Sequence, residues 1–329
     1  MTSDIEQRMR EDLVGTLVHT AGRRADPPAE AYRVVLAAAE NTWQRKVARR
    51  RRWRIGAGMA AVFVVLTAGA ALLRAVLPMS AAPQIARVDR VGGGVETRPP
   101  GAGAWIPLVA GRLPLQAGTH MRTGPDGRAD LRLASGVSLR LAVLTEVELR
   151  APDSIRLQHG AVYTDTGGGG GSIVIHTPVG TARDLGTQFE LRYVGDVLRL
   201  RVREGRVRLQ RDSETLVAGA GQQLTIDARG SVTRGNIAGD DLEWAWAETV
   251  AQVPNFNDQP VSVLLVWVAR ETGRTVRYSN AAAERQAAAV ILHGQIGPLA
   301  PLETLRVLLA TTDLTYEILP DGTIEVRYK

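Results

Sequence analysis

One junction constrains this chain more than any other feature. Nineteen uncharged residues, Ile55 to Leu73, follow a ten-residue stretch holding seven basic side chains: Arg45, Lys46, Arg49, Arg50, Arg51, Arg52 and Arg54. As a helix rising about 1.5 Å per residue, the apolar run is about 28 Å long, close to the roughly 30 Å hydrocarbon core of a bilayer. Beyond the run stand only Arg74, Arg87 and Arg90 before the next region. This asymmetry predicts a single-pass span with a cytoplasmic N-terminus. Ser80-Ala81-Ala82 has the form of a signal-cleavage site, but a leader of 54 residues before the apolar core is foreign to signal peptides. An uncleaved anchor is the expectation.

The charge follows the same division. Of the net +6, residues 1–54 supply +5, with 12 basic and 7 acidic side chains, while the other 275 residues hold 28 basic and 27 acidic ones. The outer part therefore lacks the excess positive charge of a nucleic-acid-binding face, and no direct nucleic-acid contact is expected. The basic cluster suits anionic lipid headgroups. The chain has no cysteine, which removes disulfides, thiol catalysis and cysteine-based metal sites. His19, His120, His159, His176 and His293 lack the i, i+4 spacing of a metal-binding helix. Neither a metal nor a cofactor is expected.

Within the first 54 residues, Ser3-x-x-Glu6 has the form of a capping box ahead of Ile5, Met9, Leu13 and Leu17. Asp26 and Pro27 open a second predicted helix. Its apolar face is Tyr32, Val35, Leu36, Ala39 and Trp43. Two helices this short bury too little area to stand alone. They either pack on each other or are completed by a cytoplasmic partner, folding as they bind. The candidate partner-binding residues are Tyr32, Val35, Leu36 and Trp43.

From about Arg87 to Arg234 the apolar residues recur with period two. Leu139-Arg140-Leu141, Val147-Glu148-Leu149 and Ile155-Arg156-Leu157 alternate as half-buried strands do. Glu204-Gly205, between Val197–Arg203 and Arg206–Leu209, reads as a two-residue hairpin connection. Gly124-Pro125-Asp126-Gly127, Ser135-Gly136 and His159-Gly160 read as further turns, giving an all-β sandwich or stacked winding. The arginines of these strands are expected on a solvated face. Gly167 to Gly171 lacks the Lys-Ser/Thr of a phosphate loop and reads as a flexible tip.

An ordered series of motifs carries a resemblance. Trp105-Ile106-Pro107, Gly111, Leu113 and Ala117-Gly118 precede Arg122-Thr123-Gly124 and Gly127-Arg128-Ala129. Leu133-x-x-Gly136-x-Ser138-Leu139-Arg140-Leu141 and Leu157-x-x-Gly160-x-Val162 come next. The series closes with Thr177-Pro178-x-Gly180, Gly186-Thr187-Gln188-Phe189 and Glu204-Gly205-x-Val207. In order and spacing this resembles the periplasmic domain of the FecR family of membrane-spanning sigma-factor regulators. In some members of that family the Gly–Thr bond of the GT-x-F element cleaves itself by an N–O acyl shift, which carries over to Gly186 and Thr187. A hydroxyl next to a preceding carbonyl, and a glycine tolerant of strained backbone, are what such a step requires. Asp184 is the nearest candidate base; the alternative is that Gly186 is a bulge and Thr187 a strand residue.

Past Trp244 and Trp246 the pattern becomes mixed. Asn255-Phe256-Asn257 reads as a strand, and Pro260 opens a helix with face Val263, Leu264, Trp267 and Val268 that Gly273 ends. Strands are expected at Thr275–Tyr278, Val290–Gly297, Leu314–Leu319 and Ile324–Val326, with a second helix from Pro301. This twice-repeated strand–helix–strand unit resembles the short N-terminal domain of secretins and TonB-dependent receptors.

The expected fold class is a multi-domain membrane protein. It has an α-helical cytoplasmic segment (1–54), a transmembrane helix (55–73), a linker (74–86), an all-β FecR-like periplasmic domain (87–235), a second linker (236–252) and a small α/β domain of βαβ repeats (253–329). The resemblance implies a single-pass inner-membrane anti-sigma regulator in cell-surface signalling. Its partners would be an extracytoplasmic-function sigma factor inside and the signalling domain of a TonB-dependent outer-membrane receptor outside, with iron-chelate uptake as the setting and a periplasmic protease as the releasing agent. The rival reading is an anchored envelope scaffold or peptidoglycan-associated structural protein that binds no sigma factor. Ser172, His176 and Asp184 form a triad by residue type alone, and no enzyme acting on a separate substrate is expected.

Overall fold

A computed structural model describes residues 20, 30, 33, 83–109, 114–167, 171–184 and 186–329. The chain divides into two compact units, Met1–Ala81 and Ala82–Lys329. In the first, Thr20, Glu30 and Arg33 are helical and exposed. The expected span at 55–73, the basic cluster 45–54 and the face formed by Tyr32, Val35, Leu36 and Trp43 lie outside the described residues. Among the described residues no helix is long and apolar enough to cross a membrane.

The second unit opens with the period-two region, which forms 17 hydrogen-bonded strands. In chain order they begin β1 (Gln84–Gly92), β2 (Val95–Arg98), β3 (Ile106–Pro107), β4 (Leu115–Gln116), β5 (Thr119–Thr123) and β6 (Arg128–Leu133). Next come β7 (Ser138–Leu141), β8 (Glu146–Ala151), β9 (Ser154–Asp165), β10 (Val174–His176), β11 (Thr181–Asp184) and β12 (Gln188–Val194). The series ends with β13 (Val197–Glu204), β14 (Arg206–Arg211), β15 (Glu214–Gly219), β16 (Gln222–Ile226) and β17 (Val232–Asn236). They wind back and forth between two layers. Layer one runs β4-β1-β6-β7-β9-β12-β13-β16-β17 and is antiparallel throughout. Layer two runs β3-β2-β5-β8-β9-β10-β11-β14-β15, with β9 and β10 the parallel pair. Leu131, Leu139, Phe189 and Leu200 from layer one meet Val147, Leu157, Ile175 and Leu209 from layer two in a fully buried core.

Two expected turns are something else. His159-Gly160 lies inside β9, whose first half pairs in layer two and whose second half pairs in layer one. Gly160 sits at the change of layer with φ 95°, and a Cβ there would stand 2.3 Å from the Thr145 hydroxyl oxygen and 2.5 Å from its Cα. Glu204-Gly205 is not a hairpin, because β13 pairs with β12 and β16 while β14 pairs with β11 and β15. It is a crossing between layers. A glycine flanked by alternating strands reads the same in both cases, and only the pairing partners separate them. Ser135-Gly136 does join a hairpin, β6 to β7.

The rest of the unit contains α1 (Ala245–Glu248), β18 (Gln259–Pro260), α2 (Val261–Thr272), β19 (Val276–Tyr278) and α3 (Ala281–Ala289). It ends with β20 (Ile291–Leu292), α4 (Pro301–Leu309), β21 (Leu314–Ile318) and β22 (Ile324–Tyr328). β19 runs parallel to β22, and β21 antiparallel to it, while β18 and β20 form a separate pair. Val261, Leu264, Val268, Leu305, Leu309 and Ile324 build this body's own core. Pro260 caps α2 as expected, and Gly273 ends it in the left-handed region at φ 64°. The strand expected at Asn255–Asn257 is replaced by turn structure leading into β18, and the strand expected over Val290–Gly297 shrinks to Ile291–Leu292. Helix α3 has no counterpart among the expected elements: its AAAERQAAA sequence has no apolar period. It is fixed by Asn280, whose side chain accepts from the backbone N–H groups of Ala282 and Ala283.

Gly160→Ala is expected to lower the unfolding free energy by at least about 2 kcal/mol, since left-handed strain and a backbone clash add. Gly136→Ala, equally left-handed at φ 87° but facing open space, should cost about 1 kcal/mol. Urea midpoints of the two variants check the difference.

Candidate functional site

The outer face of layer one carries one continuous row of polar residues across seven strands. Cross-strand register places Arg90 opposite Asp130, Asp130 opposite Arg140 and Arg140 opposite Tyr163. Tyr163 then faces Glu190, Glu190 faces Arg201, and Arg201 faces Gln223. Cation and anion alternate along the row, with Tyr163 as the one neutral spacer between Arg140 and Glu190. Asp130 and Glu190 are fully buried, and Arg140 and Arg201 nearly so. The arginines expected on a solvated face are thus divided: Arg206 and Arg208 on layer two are exposed, whereas Arg140, Arg201 and Arg203 are covered.

The segment after β17 covers them. Glu271 of α2 takes a bidentate pair from Arg140, at 2.7 and 2.8 Å. Arg203 donates to the Gly239 and Glu271 carbonyls, both at 2.7 Å, and to the Glu248 carboxylate at 2.9 Å. Trp244 is fully buried, edge-on to Tyr163 with ring centroids 6.0 Å apart, and the Arg203 guanidinium lies 4.9 Å from its ring. The Trp246 indole N–H donates to Glu190 at 2.8 Å. Arg90, at the end of the row, donates to the Ala251 and Pro298 carbonyls.

A second row beside the first joins this cover to the Gly186-Thr187 turn. Gln188 donates to Asp165 at 2.9 Å and to the Arg270 carbonyl at 3.3 Å, while the Arg270 side chain bonds both Asp165 and Glu204. Two residues before Gln188, Gly186 adopts φ 83° and its carbonyl oxygen would lie 2.3 Å from any Cβ at Gly205. Thr187 is buried; its N–H donates to the Thr166 hydroxyl at 2.8 Å and its own hydroxyl to Asp184 at 3.4 Å. The Asp184 carboxylate also accepts from the Ile173 and Gly186 N–H groups. A threonine hydroxyl beside a buried carboxylate, following a glycine in the left-handed region, has the groups for attack on the Gly186 carbonyl carbon. The strand itself begins only at Gln188, with a register shift between Gln188 and Phe189. The triad formed by residue type does not assemble, because the His176 ring faces Thr181 at 3.2 Å and Asp184 is engaged by Ile173, Gly186 and Thr187.

Charges so buried shift their protonation. Burial opposes the Arg140 charge, but the pairing with Glu271 outweighs it and holds the guanidinium above its ordinary range. Burial likewise works against Asp165, yet the bonds from Arg270 and Gln188 hold its carboxyl below the usual range. Asp130 goes the other way: burial pushes it up to about 6, against the attraction of Arg140 and the Ser138 hydrogen bond. One of its oxygens has no hydrogen-bond partner. Among the described residues no cluster of potential ligands could hold a metal ion.

The residues of this seat are in plain view in the sequence, but not their roles. Glu190 and Arg201 sit in strands that alternate apolar and polar residues, and so read like any solvated face. Their partners emerge only from register, and Arg140 finds Glu271 across 131 positions.

A two-layer β body with a polar row, covered by a small α/β body, is the class of protein defined here. Residues 119–208, from β5 into β14, match the family model described as FecR protein. The chain is also similar to two crystal structures of a putative anti-sigma factor from Parabacteroides distasonis ATCC 8503, at 2.50 and 1.65 Å resolution. Each shares 14% identity at a TM-score of 0.35, covering 64% of this chain and 98% and 99% of the other. No curated protein matches the chain.

The raised Asp130 pKa has a definite sign. The folded state keeps the proton longer than the unfolded state, so stability falls as pH rises from about 4 to about 6 and stays lower above. A shift of two pH units corresponds to roughly 3 kcal/mol. Asp130→Asn is therefore expected to raise the urea midpoint at pH 7.5, with the gain shrinking below about 1 kcal/mol at pH 4. A variant equally stable relative to the parent at both pH values would show that the carboxyl is not strained.

Proposed function

We propose that this protein is a single-pass inner-membrane anti-sigma regulator. Residues 1–54 face the cytoplasm and hold an extracytoplasmic-function sigma factor through Tyr32, Val35, Leu36 and Trp43. Residues 55–73 cross the bilayer, with the 45–54 basic cluster at the inner headgroups. The outer region receives its signal from the signalling domain of a TonB-dependent outer-membrane receptor, in the setting of iron-chelate uptake. The FecR protein match over residues 119–208 is the observation that carries this reading. The junction of basic and apolar residues at 45–73 supplies its topology. β21 ends the β19-β22-β21 sheet, and such an unpaired edge suits strand addition by a receptor domain.

A single helix has little to move, so release of the cytoplasmic helices by regulated proteolysis is the mode proposed for transmission. Scission at Gly186–Thr187 is proposed as a step of maturation. The Thr187 hydroxyl attacks the Gly186 carbonyl carbon as its proton passes to Asp184. The C–N bond then breaks as Asp184 returns that proton to the departing nitrogen, leaving an ester and a free Thr187 amine, and water hydrolyses the ester to the Gly186 carboxylate and the Thr187 hydroxyl. Gly205 leaves room for the carbonyl, and Thr166 holds the N–H that becomes the amine.

Two measurements test these steps separately. Replacing Tyr32, Leu36 and Trp43 together by Ala should abolish co-purification of the sigma factor with the full chain and raise transcription from its promoter. Unchanged co-purification would favour an anchored scaffold. Intact-mass spectrometry should find two fragments meeting at Gly186–Thr187 in the parent, and one full-length mass in Thr187→Ala. Full-length mass in both would remove the scission step.

A further inference from the structure

We infer that the C-terminal body, residues 253–329, is a detachable cover whose seat on the polar row opens while both bodies stay folded. The β body and the C-terminal body have separate hydrophobic cores. The apolar cluster at the seat consists of Tyr163, Trp244 and Ala247, with Ile237 and Trp246 against it. Its members come from β9 and the linker, and none comes from residues 253–329. The C-terminal body itself holds the seat with charges and carbonyls: Glu271 on Arg140, the Glu271 carbonyl on Arg203, Arg270 on Asp165 and Glu204, and the Pro298 carbonyl on Arg90.

Such a contact separates at small net cost. Buried ion pairs gain little over the same ions hydrated apart, because attraction and desolvation nearly cancel. The two apolar cores are separate clusters that share no member, so opening breaks neither, and the linker stays anchored by Trp244. Losing one partner is a different matter, since the ion left behind is buried without a counter-charge. The cover is therefore closed by matched charges and opened by whatever competes for one of them. A protein that engages the α2 end of the C-terminal body would free the row and release Gln188, next to the Gly186-Thr187 turn, from the Arg270 carbonyl.

The chain has no cysteine, so Ser213→Cys and Ala288→Cys can carry a single pair of spin labels, one on each body. In the full chain in mild detergent, pulsed electron resonance should give one dominant distance. Glu271→Ala should add a second, longer distance, with an open fraction at least tenfold that of the parent. Arg140→Met combined with Glu271→Leu should return to the parent distance, because the stranded charge is gone. Hydrogen exchange at Leu191 and Ile324, one in each body, reports whether the folds survive. The inference fails if Glu271→Ala keeps the single short distance with both amides protected. It fails equally if both amides lose protection together, since the bodies would then be one cooperative unit, or if the double variant is as open as the single one.

Discussion

The way the C-terminal body seats on the β body depends on how Arg140 meets Glu271. A guanidinium in mid-sheet, nearly devoid of solvent, is tolerable only when a carboxylate answers it in both hydrogen bonds, and α2 supplies that carboxylate. Around this pair the other buried charges fall into order. Asp130 sits on one side of Arg140, and Arg203 reaches the backbone of the same glutamate. Without α2 in place, Arg140 and Asp165 would lose their ion-pair partners, while Glu190 would keep its arginines within the layer. The cover and the row thus specify each other: the register of the sheet fixes the spacing of charges, and the charges fix where α2 lies.

The winding makes the row possible. Successive strand pairs alternate between layers, so residues far apart in sequence become lateral neighbours. The same alternation keeps one face of each layer for the shared apolar core and leaves the other free for polar chemistry. In layer two that free face is solvated, with Arg206 and Arg208 exposed. In layer one it is roofed by the linker and the C-terminal body. The chain beyond β17 has therefore put two chemically similar faces to different uses.

Period two in the apolar residues is enough to find the β region, and Pro260, Gly273 and Pro301 mark two of the helices, because those signals are local. Helix α3 escapes such a reading since alanine runs bury one narrow face without any apolar rhythm. The connection at Glu204-Gly205 passes for a hairpin because a hairpin and a layer crossing demand the same glycine conformation. For the site, the Gly186-Thr187 pair enters through the family resemblance, and Asp184 only as the nearest acidic residue. The seat is not legible: its charges read as ordinary solvated side chains until register joins them. Arg140 and Glu271 carry no mark in the sequence that each needs the other.

The single strand shared by both layers has a mechanical consequence. β9 is hydrogen-bonded to β8 and β10 at one end and to β7 and β12 at the other. Sliding one layer over the other would shear that strand out of register at both ends at once. A pull on either layer is therefore handed to the other along the unbroken β9 backbone at Gly160, which is hydrogen-bonded on both sides of the change, whereas crossings such as Glu204-Gly205 pass it only through a turn.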